Sequence, residues 1–118
     1  MKPKRSKPFA ASAASIKALT ADGWTCWNVE SRIPHTFITR DAFGFADLLA
    51  MSPSKGILLV QVTDGSNMAN RVAKVKAEPR HAIWLASGGR IQVHGWAIRA
   101  GQKERECRVL EITNEVYE

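Results

Sequence analysis

The sequence predicts a single α/β domain, a mixed sheet flanked by helices. Three observations carry that expectation. The 118 residues, 45% hydrophobic and 24% charged, are enough for one packed core and too few for two. Ile57-Leu58-Leu59-Val60 is apolar at every position, which marks a central strand covered on both faces. Runs with helical spacing of apolar residues are interspersed with runs that read as strands, with no internal repeat and no inner linker.

Pro8 suits the first turn of a helix, and Phe9, Ala13, Ile16 and Leu19 recur at helical spacing until Asp22-Gly23 stops it. Trp24 to Glu30 is rich in aromatic and β-preferring residues and reads as the first strand. Ser31 to Gly44, with Pro34, reads as a loop carrying Arg32, His35, Arg40 and Asp41. Phe45 to Met51 and Ile57 to Thr63 are the next two strands, joined by the hairpin connection Ser52-Pro53-Ser54-Lys55-Gly56. Asp64-Gly65-Ser66 offers a turn and a cap before a helix over Asn67 to Ala77. Its apolar stripe is Met68, Val72 and Val75, and its opposite stripe is Asn67, Arg71, Lys74 and Glu78. Pro79 opens a shorter helix through Trp84 and Leu85, ended by Ser87-Gly88-Gly89. Arg90 to Ile98 alternates as a strand, and a last strand runs over roughly Glu106 to Ile112.

The 17 Lys and Arg against 11 Asp and Glu give a formal charge of +6 and a pI near 9.8, a bias toward polyanions such as nucleic acid. Lys2, Lys4, Arg5 and Lys7 supply much of the excess, so residues 1–7 read as a basic disordered leader and residues 8–118 as the domain. No apolar run approaches the roughly 20 residues that span a bilayer, so no membrane association is expected. The residues after the leader are amphipathic and not an apolar signal segment, which points to the cytoplasm. Cys26 and Cys107 have no CxxC spacing and no clustered His, so they read as buried thiols in a reducing compartment. Trp24, Trp27, Trp84 and Trp96 read as core residues, His94 as a hydrogen-bonded sheet residue and His81 as an exposed residue at a helix start.

Asp47 is the residue that breaks the apolar pattern. Strand alternation places it on one face with Phe45, Leu49 and Met51, and an unpaired buried carboxylate costs several kcal/mol. It therefore requires a hydrogen-bond network, a metal ion or an open sheet edge. Gln61, on one face with Ile57, Leu59 and Thr63, poses the same question. An acid near the end of one antiparallel strand and polar residues near the end of the next converge as divalent-metal sites require.

The order of elements, Gly44-Phe45-Ala46-Asp47-Leu48-Leu49-Ala50 and Leu58-Leu59-Val60-Gln61-Val62-Thr63 resemble the PD-(D/E)xK nuclease superfamily, whose restriction-endonuclease-like core runs αβββαβ. The likeness is to the small archaeal-type Holliday junction resolvases and covers roughly residues 9 to 98. It implies a DNA endonuclease in which an Asp and a second acid hold Mg²⁺ or Mn²⁺ and a Lys two positions later orients the attacking water. Asp47 matches the first position. Gln61 stands where the second acid belongs and Thr63 where the Lys belongs, so the ion would be held weakly, by Asp47, Gln61 and the Val62 carbonyl. Lys74 or Arg71 on the following helix is expected to supply the positive charge. Glu30 or Asp41 is expected to supply a further carboxylate, since the family's helix-one Glu has no counterpart here. Arg32, Arg40, Asn67, Arg71 and Lys74 are the candidate DNA contacts, and a homodimer is implied if the substrate is a branched junction cut twice.

Each of these residues has a plainer reading: Asp47 as a turn-adjacent acid capping backbone amides, Gln61 bonded to a neighbouring loop, Arg71 and Lys74 as a solvated helix face. Three functions follow, in this order: a metal-dependent endonuclease, the same fold binding DNA or a protein partner without cutting, and a structural subunit with no nucleic-acid role.

Overall fold

Three helices and a five-stranded mixed sheet appear in the expected order in the computed structural model, which describes residues 9–32, 34–36, 39–98 and 100–113. Helix α1 (Ala11–Ala21) precedes β1 (Thr25–Asn28), a small hairpin of β2 (Ser31–Arg32) and β3 (Thr39–Arg40), and the long hairpin of β4 (Leu48–Ser52) and β5 (Gly56–Asp64). A 3-10 turn, Gly65–Asn67, leads into α2 (Met68–Ala77) and α3 (Pro79–Ala86), followed by β6 (Arg90–Ala97) and β7 (Glu106–Ile112). The main sheet runs β1-β4-β5-β6-β7, with β5 and β6 parallel and every other pair antiparallel. A parallel pair needs a crossover, and α2 and α3 supply it.

The all-apolar strand is the middle of the five, as its pattern demands. Leu58 and Val60 pack with Leu48, Ala50, Trp24 and Leu19 on the α1 face of the sheet. Leu59 packs on the other face with Phe45, Met68, Val75, Ile91, Val93 and Ile112. Gly95 has no room for a side chain, because a Cβ there would fall on Cγ and Sδ of Met68.

α1 is seated by a polar contact that the apolar stripe did not disclose. Ser15 is fully buried and Ala13 is exposed, the reverse of the expected stripe. The Ser15 hydroxyl lies 2.9 Å from Nδ1 of His94 and accepts from Nε1 of Trp96 at 2.8 Å, so it is sheet polarity, not sheet apolarity, that selects this position. Nε2 of His94 meets Oε1 of Gln92 at 2.9 Å, and Gln92 Nε2 donates to Glu111 at 3.0 Å. Since Gln92 uses its amide N–H on Glu111, its carbonyl accepts from His94, which fixes the proton of the ring on Nε2.

Other expectations are corrected locally. The second long strand begins at Leu48 and not at Phe45, because a turn over Ala42 to Ala46, with the Ala46 amide donating to the Ala42 carbonyl at 3.0 Å, holds Phe45 out of the ladder. The first strand spans only Thr25–Asn28, and the segment expected as plain loop contains the β2–β3 hairpin. Trp24 is core, whereas Trp27 is 68% exposed on edge strand β1. Both cysteines are half-buried, not buried. Pro8 and the basic leader fall outside the described residues. Among those described, no helix is long and apolar enough to cross a membrane.

Candidate functional site

The β4–β5 register brings Asp47 and Gln61 together. Leu48 faces Val60 and the Asp47 amide donates to the same Val60 carbonyl at 2.8 Å, so Asp47, expected inside the strand, sits just before β4 with its side chain reaching Gln61 and Val62. Oδ2 of Asp47 accepts from Gln61 Nε2 at 2.9 Å and from the Val62 amide at 2.8 Å. Gln61 Nε2 also donates to the Val62 carbonyl at 3.2 Å. The plain reading of Asp47 as an acid capping a backbone amide is therefore correct as far as it goes. It leaves Gln61 unexplained: the residue is 3% exposed, and its Oε1 is the buried side-chain polar atom without a hydrogen-bond partner among the described residues. A buried carbonyl in that condition costs about 1–3 kcal/mol.

Glu30 and Asp41 reach the same point by different routes. After β1 the chain folds over Asp47, whose carbonyl accepts from the Val29 amide at 2.9 Å and the Glu30 amide at 3.3 Å, which brings the Glu30 side chain to the Asp47 carboxylate. Asp41 follows β3 at the foot of the small hairpin. The carboxylates of Glu30, Asp41 and Asp47 offer oxygens that all lie within 4.8 Å of one another. Burial raises the Asp47 pKa to about 7, against the Val62 amide bond, which lowers it; a hydrogen bond with Glu30 and the charges of Asp41 and Glu30 add to the rise.

These groups open into a cleft of about 460 Å³ lined by Glu30, Asp41, Asp47, Gln61, Val62, Arg71 and Lys74, together with Ala10, Ala11 and Ser12 at the start of α1. Lys74 Nζ lies 3.7 Å from Asp41 Oδ2. No side chain caps the first turn of α1, so its amide dipoles face the cleft and favour negative charge there. A second cleft, about 510 Å³, lies alongside and is lined by Arg40, Asp41, Phe43, Gly44, Lys74 and Arg80. The arrangement offers oxygen donors from three carboxylates beside two cations, while Gln61 turns its Nε2, and not Oε1, toward Asp47 Oδ2 and the Val62 carbonyl. Such a donor set fits a hard divalent cation, with Lys74 and Arg71 placed for an anion next to it.

Seven of the residues singled out from the sequence therefore meet in one cleft: Glu30, Asp41, Asp47, Gln61, Val62, Arg71 and Lys74. Arg40 lines the neighbouring one. Asn67 is not among the lining residues; its Oδ1 accepts from Asn70 Nδ2 at 3.3 Å. The Arg32 side chain lies outside the described residues. Thr63, where the Lys would stand, is buried in the strand. Phe43, Arg80 and the uncapped start of α1 were missed. The Phe43-Gly44 pair, both at positive φ (55° and 78°), carried a weak turn signal in its glycine, whereas nothing in the sequence marked Arg80. Comparison with known proteins finds no matching family model, no similar curated protein and no similar solved structure.

Proposed function

We propose that this chain is a divalent-metal-dependent DNA endonuclease of the PD-(D/E)xK type, acting in the cytoplasm, with its centre at Asp47. The observation that carries the reading is the unpartnered buried Oε1 of Gln61 beside three mutually close carboxylates, in a cleft walled by Lys74 and Arg71. The order α1, β1, β4, β5, α2, β6 supports it as well. Asp47, Glu30, Asp41, Gln61 and the Val62 carbonyl would hold Mg²⁺ or Mn²⁺, and the ion when bound would supply Lewis-acid charge and make water a stronger nucleophile. The protein's own part is electrostatic. Lys74 and Arg71 face the scissile phosphate and offset its charge, and the open end of α1 adds favourable dipoles. Lys74 takes over from the Lys that Thr63 replaces, on a neighbouring element. The three carboxylates compensate for the charge lost at Gln61. Cutting both strands of a branched junction requires two such centres, hence a homodimer on that substrate.

A second reading is favoured by one feature. The Gln61 amide donates to Asp47 Oδ2 and to the Val62 carbonyl, two oxygens a cation would need, so the same cleft is also compatible with a protein that binds DNA and does not cut it. The discriminating experiment is cleavage of junction and linear duplex DNA with Mg²⁺ or Mn²⁺ by wild type and Asp47→Ala. The endonuclease reading expects metal-dependent cuts that fall at least about a hundredfold in the variant. Salt-dependent binding with no cutting under any metal establishes the second reading, and undiminished cutting by Asp47→Ala would falsify the placement of the centre.

A further inference from the structure

The second cleft has features that the cation centre does not use. It shares Asp41 and Lys74 with the first, so the two form one continuous surface. Arg40, Lys74 and Arg80 line it with Asp41; Lys74 pairs with Asp41 and Arg80 with Glu78, so the wall carries one cation in excess of its paired acids. Phe43 stands in it 40% exposed, at φ 55°, a left-handed conformation that residues with a Cβ rarely adopt. Gly44 follows at φ 78°, and the two left-handed residues in succession hold the ring out of the core, while Phe45 turns back into it.

The ring is also held in place. The Arg80 guanidinium lies 5.4 Å from its centroid, and Arg80 Nη2 donates to the Phe43 carbonyl at 3.1 Å. Glu78 pairs with Arg80 and keeps it there. The Trp84 ring lies 6.3 Å away, tilted by 50°. An aromatic face immobilised before a ligand arrives loses little freedom on binding.

We propose that this second cleft seats an unpaired nucleotide of a DNA strand, its base on Phe43 and its phosphate on Arg40 and Lys74, next to the phosphate held at the carboxylate cluster. The inference rests on the reading of that cluster as a DNA centre and adds the substrate's local form. An exposed, fixed aromatic ring among cations is the pattern by which single strands are bound, because every base has a π-face and every step a phosphate. In an intact duplex the base faces are occupied by stacking, so the ring selects a nucleotide outside the helix, as at a branch, flap or single-stranded end. An apolar peptide would use the ring and leave Arg40 without a role.

The test uses the full chain in EDTA at low salt, where nothing is cut. The probe is the fluorescent adenine analogue 2-aminopurine, placed in the single-stranded tail of a DNA duplex or base-paired in a blunt one. Wild type is expected to quench the tail probe about twofold or more, with Phe43→Leu losing that quench and binding the tailed DNA about tenfold more weakly, while both proteins bind blunt duplex alike. Phe43→Tyr keeps the ring and is expected to restore the quench, which separates stacking from a folding defect. Arg40→Ala is expected to weaken tail binding and its salt dependence while keeping the quench. An unchanged quench in Phe43→Leu, or an equal loss of affinity for tailed and blunt DNA, overturns the proposal. The two readings fail separately. Absence of metal-dependent cutting with the quench and its loss intact removes the endonuclease and leaves the subsite, and cutting without a quench does the reverse.

Discussion

At Asp47, burial and two neighbouring acids act in the same direction and raise the pKa to about 7. The unfolded chain releases this proton near 3.8, so between about pH 4 and pH 7 the folded state binds more protons, and stability contributed here falls as pH rises. Asp47→Asn keeps an oxygen for the Gln61 and Val62 donors and removes the charge. In metal-free buffer at pH 7.5 it should gain about 1–3 kcal/mol in denaturant unfolding while losing metal-dependent cleavage. A site kept for packing alone would show no such opposition. Gln61→Glu adds a fourth carboxylate, so it should lower the metal-free Tm and enlarge the rise in Tm on adding Mn²⁺, measurable in one thermal-shift series. The Asp47–Gln61 pair was legible in the sequence because strand alternation and a short hairpin decide register locally. Glu30 and Asp41 stood there only as alternatives, since their arrival depends on the chain folding over the Asp47 carbonyl and on a hairpin of two-residue strands that no periodicity announces.

Among the elements, α1 against β6 shows how polar burial constrains a helix. His94 is 2% exposed and its pKa is lowered to about 4 by that burial, so it is neutral in the fold. The unfolded chain takes up this proton near 6.5, so stability contributed by His94 is lost as pH falls from about 6.5 to about 4. The loss amounts to about 2–3 kcal/mol, opposite in sign to the Asp47 effect, and is best read from unfolding curves in the Asp47→Asn background. Gly95→Ala sets a methyl against Met68 and should destabilise by about 1–3 kcal/mol, seen as a lower urea midpoint with an unchanged slope. The regular elements were legible because β5 is apolar throughout and α2 carries a clean stripe. α1 was legible as a helix but not in its rotation: its apolar spacing favoured Ala13, while the Trp96 and His94 ring nitrogens across the interface select Ser15.

For the molecule as a whole, the +6 charge is a distribution more than a total. Four of the cations lie in residues 1–7, and among the described residues Lys74, Arg71, Arg40 and Arg80 line the two clefts. Removing residues 1–7 should weaken DNA binding and reduce the slope of log affinity against log salt by about 3–4, leaving the ratio of wild-type to Asp47→Asn cleavage at low salt unchanged. Residues 1–7 and the proposed centre would thus contribute to different steps, one to general attraction and the other to chemistry. The central claim is that the Asp47 cleft is a cation centre, and the measurement that reaches it most directly is a Mn²⁺ titration followed by the electron paramagnetic resonance signal of the unbound ion. The account predicts saturable loss of signal corresponding to bound Mn²⁺ in wild type, tighter in Gln61→Glu and absent in Asp47→Asn; no uptake by wild type, or equal uptake by wild type and Asp47→Asn, would contradict it.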